Sequence, residues 1–138
     1  QVSNLVQLRR AARHPLIVIA DSDIRVGPDY LARVTAPLQD DRVGMVTCGY
    51  LCRRPRGLGS AVASLGRCGD FIPQVLIARQ LWRGLNFALG PTMATRAAVL
   101  EQTDGLNEVL NRIGSDFHLG RLTAEAGYYV EFSDYVLE

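Results

Sequence analysis

The stretch Leu16-Ile17-Val18-Ile19-Ala20-Asp21-Ser22-Asp23 decides the fold: five apolar residues, then two carboxylates one residue apart. Lacking polar alternation, Leu16 to Ala20 reads as a short strand buried on both faces. Asp21 and Asp23 follow at its C-terminal end, where the chain leaves β geometry and both acids can turn toward one pocket. Two hard oxygen donors suit Mg²⁺ or Mn²⁺, which keep other positions for water and for a substrate phosphate. Left unneutralised, the pair repels itself by roughly a few kcal/mol at a protein-like dielectric. The competing use of the same residues is a solvated turn in which Asp caps the next element.

Upstream, Val2, Leu5, Val6, Leu8, Ala11 and Ala12 recur near the helical period, with Arg9, Arg10 and Arg13 at the end that favours cations. His14-Pro15 stops that helix, because the residue before a proline is pushed out of the α region. Downstream, Pro28 and Asp29 open a helix with Tyr30, Leu31, Val34 and Leu38 on one face. A turn at Asp40-Asp41-Arg42 leads into a strand from Val43 to Tyr50, and Cys52 to Gly59 is a loop. From Leu58 to Trp82 the residues Leu58, Val62, Leu65, Cys68, Ile72 and Leu76 form an amphipathic helix, kinked or divided near Pro73. Its stripe is expected to pack on the sheet; the other use is to lie beside a membrane.

Asn86 to Leu89 is predicted as a short strand ended by Gly90-Pro91, where Gly90 permits an unusual backbone path or the close approach of a ligand. A helix from Arg96 to Thr103 closes at Asp104-Gly105, a glycine C-cap. Ser115 or Asp116 caps a last helix running to Ala126 and stopped by Gly127, and Tyr128 to Val136 is the final strand. Besides capping, Asp116 has a chemical use, as a general base at the rim of a pocket. The alternation of strands and helices predicts an α/β domain, a mainly parallel sheet with helices on both sides. Ligands of such sheets sit at the carboxyl ends of the strands, where Asp21 and Asp23 stand.

The chain has 138 residues, 48% of them hydrophobic, which is one domain with a core of its own. Fifteen basic residues against 14 acidic ones leave no basic surface to announce nucleic acid. All the cations are arginine, so mechanisms needing a P-loop or Schiff-base lysine are excluded. No apolar run approaches the roughly 18 to 20 residues of a membrane span, and no charged-then-apolar leader opens the chain. A first residue of Gln1 in place of Met points to a piece of a longer protein. Cys48, Cys52 and Cys68 form no Cys-x-x-Cys pair and are expected as reduced thiols, Cys48 inside a strand. His14 and His118 have no neighbour at metal-ligand spacing.

Taken together, these segments resemble the nucleotide-sugar glycosyltransferases of GT-A fold, in particular the ceramide glucosyltransferase group with its bacterial hopanoid-associated relatives. The likeness rests on Val2-Ser3-Asn4-Leu5, on IVIADSDIRVGPD from Ile17 to Asp29, and on Val46-Thr47-Cys48. It continues through Phe87-Ala88-Leu89-Gly90-Pro91-Thr92-Met93-Ala94 with Arg96 and Leu100, then Gly114-Ser115-Asp116-Phe117 and Leu119-Gly120. It implies a GT-A-like, Rossmann-like domain, incomplete at both ends, with residues 1–138 a partial catalytic domain. By the same resemblance Asp21 and Asp23 match the metal and nucleotide-diphosphate aspartates, Gly90 lies in the nucleotide-sugar site, and Asp116 matches the base for the acceptor hydroxyl. The implied reaction is inverting, metal-dependent transfer of a hexose, glucose first among candidates, from a UDP-sugar to a lipid alcohol such as ceramide. The implied setting is a membrane-associated full-length protein with its catalytic domain on the cytosolic side.

The sequence also departs from that pattern. Gln1 stands where the group has a lysine, and Ser115 where it has an acid before the base. Its first strand, its downstream Gln-x-x-Arg-Trp type motif and its membrane helices have no counterpart here. Two other readings accordingly stay open, a truncated inactive domain with a structural or binding role and a haloacid dehalogenase-type phosphatase. The latter also sets Asp-x-Asp after a buried strand, but it wants Thr or Val where Arg25 stands.

Overall fold

Val43–Tyr50 (β2) is the strand around which the domain is built: seven of its eight residues are buried, and it lies inside a four-stranded sheet. The computed structural model describes residues 2–51, 57–82, 84–109 and 113–138. Leu16–Ala20 (β1), Thr92–Arg96 (β3) and Tyr129–Leu137 (β4) complete the sheet in the order β1-β3-β2-β4. β2 pairs in parallel with β4, whereas β3 runs antiparallel to both β1 and β2. The α/β class holds, and three of the four strands share one direction. The sheet is nevertheless mixed where a mainly parallel one was expected, because β3 stands reversed between β1 and β2.

β1 begins and ends where the apolar run does, but it is an edge strand and only its central residues are even half-buried. A run without alternation therefore did not mean burial on both faces here. Another displacement concerns Asn86 to Leu89, which is not a strand; the strand starts after Gly90-Pro91, at Thr92. Ala88 and Leu89 are buried because helices pack on them, and no ladder holds them.

Side chains alternate across β2 and build two apolar layers. Met45 joins Met93 of β3 and Val130 and Phe132 of β4 on one face. Helices cover that layer: Val2–Ala11 (α1), Ile72–Trp82 (α4), Ala97–Gln102 (α5), Gly105–Glu108 (α6) and Ser115–Glu125 (α7) supply Leu5, Val75, Leu100, Leu106 and Leu119. Val46 and Cys48 point the other way, onto Tyr30 and Val34 of Tyr30–Thr35 (α2) and onto Leu38 in the 3₁₀ turn Ala36–Gln39. Each fully buried aliphatic side chain of this kind contributes about 1.5–3 kcal/mol over exposure. Helices on both faces were the expectation, and they are present.

The long amphipathic segment departs furthest. It is divided into Leu58–Gly66 (α3), a π-helical turn Arg67–Phe71, and α4, with Pro73 at the second position of α4. A π turn adds a residue and so throws a helical stripe out of phase. Val75 and Ala78 face the core in place of Leu76, and Leu58, Val62 and Leu65 are exposed. Cys52 lies outside the described residues, as does the side chain of Cys68.

The helix ends also differ from expectation. Asp104, not Gly105, takes the left-handed conformation, at φ 46°. An aspartate tolerates this because its short side chain bonds locally, here accepting from Asn107 Nδ2 at 2.6 Å. Gly114, with φ 72°, occupies the N-cap of α7, so neither Ser115 nor Asp116 caps that helix.

Candidate active site

Because β1, β2 and β4 share a direction, their C-terminal ends lie along one edge of the sheet. The reversed strand β3 starts at that edge, which brings the bend Leu89-Gly90-Pro91 there too. The Asp21 N–H donates to the Pro91 carbonyl at 3.1 Å, extending the β1–β3 ladder by one bond. Gly90 precedes that proline, and Asp116 of α7 lies directly against it. A Cβ built on Gly90 would stand 2.9 Å from Asp116 Oδ2 and 3.5 Å from its Cγ. One continuous set of contacts thus joins Asp21 to Pro91, Gly90 and Asp116. Asp23 stands two residues along the same turn as Asp21, and both are exposed, while Asp116 is half-buried.

The closeness of Asp116 to Gly90 has a local cause four residues along. Gly120 sits one turn after Asp116 on α7, and a Cβ there would meet Ala88 N at 2.2 Å and Phe87 C at 2.3 Å. Only hydrogen fits. α7 therefore rests directly on the backbone of Phe87-Ala88, and Phe117 stacks on Phe87 with ring centroids 5.7 Å apart. Gly90 itself has no positive φ, so its smallness serves the approach of Asp116 and not an unusual backbone path.

Buried hydroxyls fix the other walls. Thr47 Oγ1 accepts from the Leu89 N–H at 2.9 Å and lies 3.1 Å from the Leu89 and Thr92 carbonyls. This one hydroxyl clamps the bend that carries Gly90 onto β2. Across the sheet edge, Tyr135 Oη accepts from the Gly27 N–H at 2.7 Å, and Tyr30 Oη bonds Thr92 Oγ1 at 3.0 Å. Burial raises the Tyr30 pKa above its ordinary value, so it stays a neutral phenol. Arg25 and Glu138 exchange backbone bonds as well, which straps the acidic turn from β1 across to the end of β4. Asp29 pairs with Arg33 at 3.8 Å. Thr47, Gly120 and Tyr135 were not singled out in the sequence as parts of the site. A threonine inside an apolar strand and a glycine one turn after a candidate base were the available signals.

Among the described residues no three His, Cys, Asp or Glu side chains gather as a metal site. Asp21 and Asp23 form a two-carboxylate set, open to solvent, with no ion pair to another described residue. That donor set fits a hard dication whose remaining ligands are waters and phosphate oxygens.

No curated protein matches the chain. Among solved structures it is similar to a mannosyltransferase from Pyrobaculum calidifontis, PcManGT, in complex with GDP-Man and Mn²⁺. The TM-score is 0.69 at 24% identity, covering 99% of this chain and 35% of that one. A mycobacterial protein is similar at a TM-score of 0.51 and 21% identity, with 100% of this chain and 43% of that one covered. At these identities the likeness is one of fold, that of the GT-A glycosyltransferases, and the chain spans well under half of either structure. The family profile described as glycosyl transferase family 21 matches residues 1–138. From first residue to last, this chain belongs to glycosyl transferase family 21.

Proposed function

We propose that this chain carries the donor-binding turn and the base of a hexosyltransferase. The reaction moves a hexose from a nucleoside-diphosphate sugar to a lipid alcohol with inversion; UDP-glucose and ceramide are the leading donor and acceptor. The observation that carries this reading is the contact series from Asp21 through Pro91 and Gly90 to Asp116 on one sheet edge. Asp21 and Asp23 would hold Mg²⁺ or Mn²⁺, which supplies neutralisation of the charge gathering on the departing diphosphate. Asp116 takes the proton from the acceptor hydroxyl as its oxygen bonds to the anomeric carbon and the carbon–oxygen bond to the diphosphate breaks. A diphosphate leaves without an acid partner, so one carboxylate base suffices, unlike the pair of a glycosidase. The mannosyltransferase complex with GDP-Man and Mn²⁺ supports a nucleotide-sugar donor and a dication for this fold. Family resemblance favours a membrane-associated full-length protein acting on the cytosolic side.

The test uses the full-length protein with labelled UDP-sugars and membrane lipids. Asp116→Asn should abolish lipid glycosylation, while calorimetric titration of UDP with Mn²⁺ should lose its heat in Asp21→Ala. Unchanged glycosylation removes Asp116 from the mechanism, and equal heats remove Asp21 from the donor site.

A further inference from the structure

β4 does not run regularly to the sheet edge that carries the acids. Cys48 of β2 pairs with Ser133 and the next residue, Gly49, with Val136, so Asp134 and Tyr135 have no counterpart on β2. A bulge of this kind interrupts a ladder and, beside active sites, re-aims a side chain. Because two residues are inserted, the alternation on either side is kept, and Tyr135 is an additional side chain in the layer of α2 and Leu137. Its N–H, left out of the ladder, donates to Ser133 Oγ at 3.1 Å. Edge strands also use bulges to refuse a further strand, but that use needs no buried phenol bonded to a residue 108 positions away.

Both inserted residues grip the segment that follows Asp21 and Asp23. The Tyr135 ring lies against Tyr30, with centroids 5.5 Å apart, and under the Arg33 guanidinium, 5.6 Å from the ring centroid. Asp134 pairs with that same guanidinium at 2.8 Å. Held in this way, the buried ring aims its hydroxyl at Gly27, four residues after Asp23, and accepts from the Gly27 N–H at 2.7 Å. Asp21 and Asp23 are themselves exposed, and two neighbouring carboxylates repel each other until a cation joins them. Their spacing therefore depends on backbone that is fixed further along the turn.

We propose that Tyr135, set by this bulge, is a positioning residue that keeps the turn bearing Asp21 and Asp23 closed against its own charge repulsion, and so sets its affinity for a metal–nucleoside diphosphate. The inference rests on the donor-binding role proposed above for that turn. Ordering the turn in advance removes an entropy cost from binding. The effect belongs to affinity and not to turnover, because Asp116 is aimed by a separate set of contacts at Gly90 and Gly120.

Tyr135→Phe in the full-length protein is the test, since it removes one oxygen and leaves the ring on Tyr30. Hydrogen exchange at the Gly27 amide should quicken about tenfold, as expected for one lost hydrogen bond. The calorimetric Kd for UDP with Mn²⁺ and the KM for the UDP-sugar should each rise about five- to tenfold, with kcat within about twofold of the parent. Thr95→Val is the control: it deletes a buried hydroxyl that donates to the Gly44 carbonyl at 2.7 Å, at the end of β3 away from the acids. That variant should bind UDP with Mn²⁺ as the parent does. Faster exchange at Gly27 with an unchanged Kd overturns the proposal, as does exchange at the parent rate or an equal rise of Kd in Thr95→Val. Equal heats for the parent and Asp21→Ala sink the donor reading and this inference with it. Heats that depend on Asp21 but not on the Tyr135 hydroxyl sink this inference alone.

Discussion

Replacing Gly120 with alanine isolates the contact that aims Asp116. The added Cβ would stand 2.2 Å from Ala88 N and 2.3 Å from Phe87 C, where ordinary carbon contacts are about 3.5–4.0 Å. Both opposing atoms are backbone, so no side-chain rotation relieves the clash, and α7 must retreat by roughly 1 Å or more. Overpacking of this kind costs about 1–3 kcal/mol. In a domain of this length that is a fall in Tm on the order of 5–10 °C. The retreat also lifts Asp116 from Gly90, and for the base proposed above a misplacement of about 1 Å can cost on the order of 10²-fold in rate. Thermal unfolding by circular dichroism reads the first effect, and kcat for lipid glycosylation by the full-length protein, below the new Tm, reads the second. A Tm within about 1 °C of the parent refutes the packing argument. A lowered Tm with an unchanged kcat refutes the claim that this packing positions the acid.

Other substitutions separate stability from aim. Gly90→Ala places a Cβ 2.9 Å from Asp116 Oδ2, the far end of a rotatable side chain. It should therefore leave Tm nearly unchanged while lowering kcat; parallel losses in both would contradict this. Thr47→Val strands the buried Leu89 N–H, which should cost about 1–3 kcal/mol in a urea titration. An unshifted midpoint would show that the hydroxyl does not hold the bend. Burial pushes the Cys48 thiol up to about 11, against a hydrogen bond to Ser133 that acts the other way. A folded pKa above the unfolded one gives stability that is intact below the unfolded pKa and lost as pH rises toward the folded pKa. Unfolding free energy should thus fall between about pH 9 and pH 11, by roughly 2–3 kcal/mol in total. Cys48→Ala should flatten that slope; a slope unaltered in the variant assigns it elsewhere.

Local chemistry made much of this domain legible in the sequence. Leu16 to Ala20 and Val43 to Tyr50 were bounded correctly because proline and charged turns punctuate them. The end of the last helix was legible from Gly127, at positive φ, whereas its N-cap is Gly114 and not the Ser115 or Asp116 expected. What failed depended on partners distant in sequence. Nothing local to Asn86-Phe87-Ala88-Leu89 says that its apolar residues are covered by helices and not by a ladder. The stripe from Leu58 is likewise real as a pattern, but periodicity does not say whether water, lipid or a sheet lies opposite it. The acids of the candidate site were visible as residue types, and the resemblance set them in one site. The contacts that carry Asp116 to the Asp21 edge were not visible, because they follow from β3 running against its neighbours.

The strap from Arg25 to Glu138 carries a consequence for how the domain matures. The turn bearing Asp21 and Asp23 is tethered to residues more than a hundred positions later, through Gly27 and Tyr135 as well as Arg25 and Glu138. Contacts of such separation close late, after the loop entropy between them has been overcome. On the donor-binding role proposed for that turn, nucleotide affinity should emerge only in the final step of refolding, as a kinetic clock for completion of the sheet.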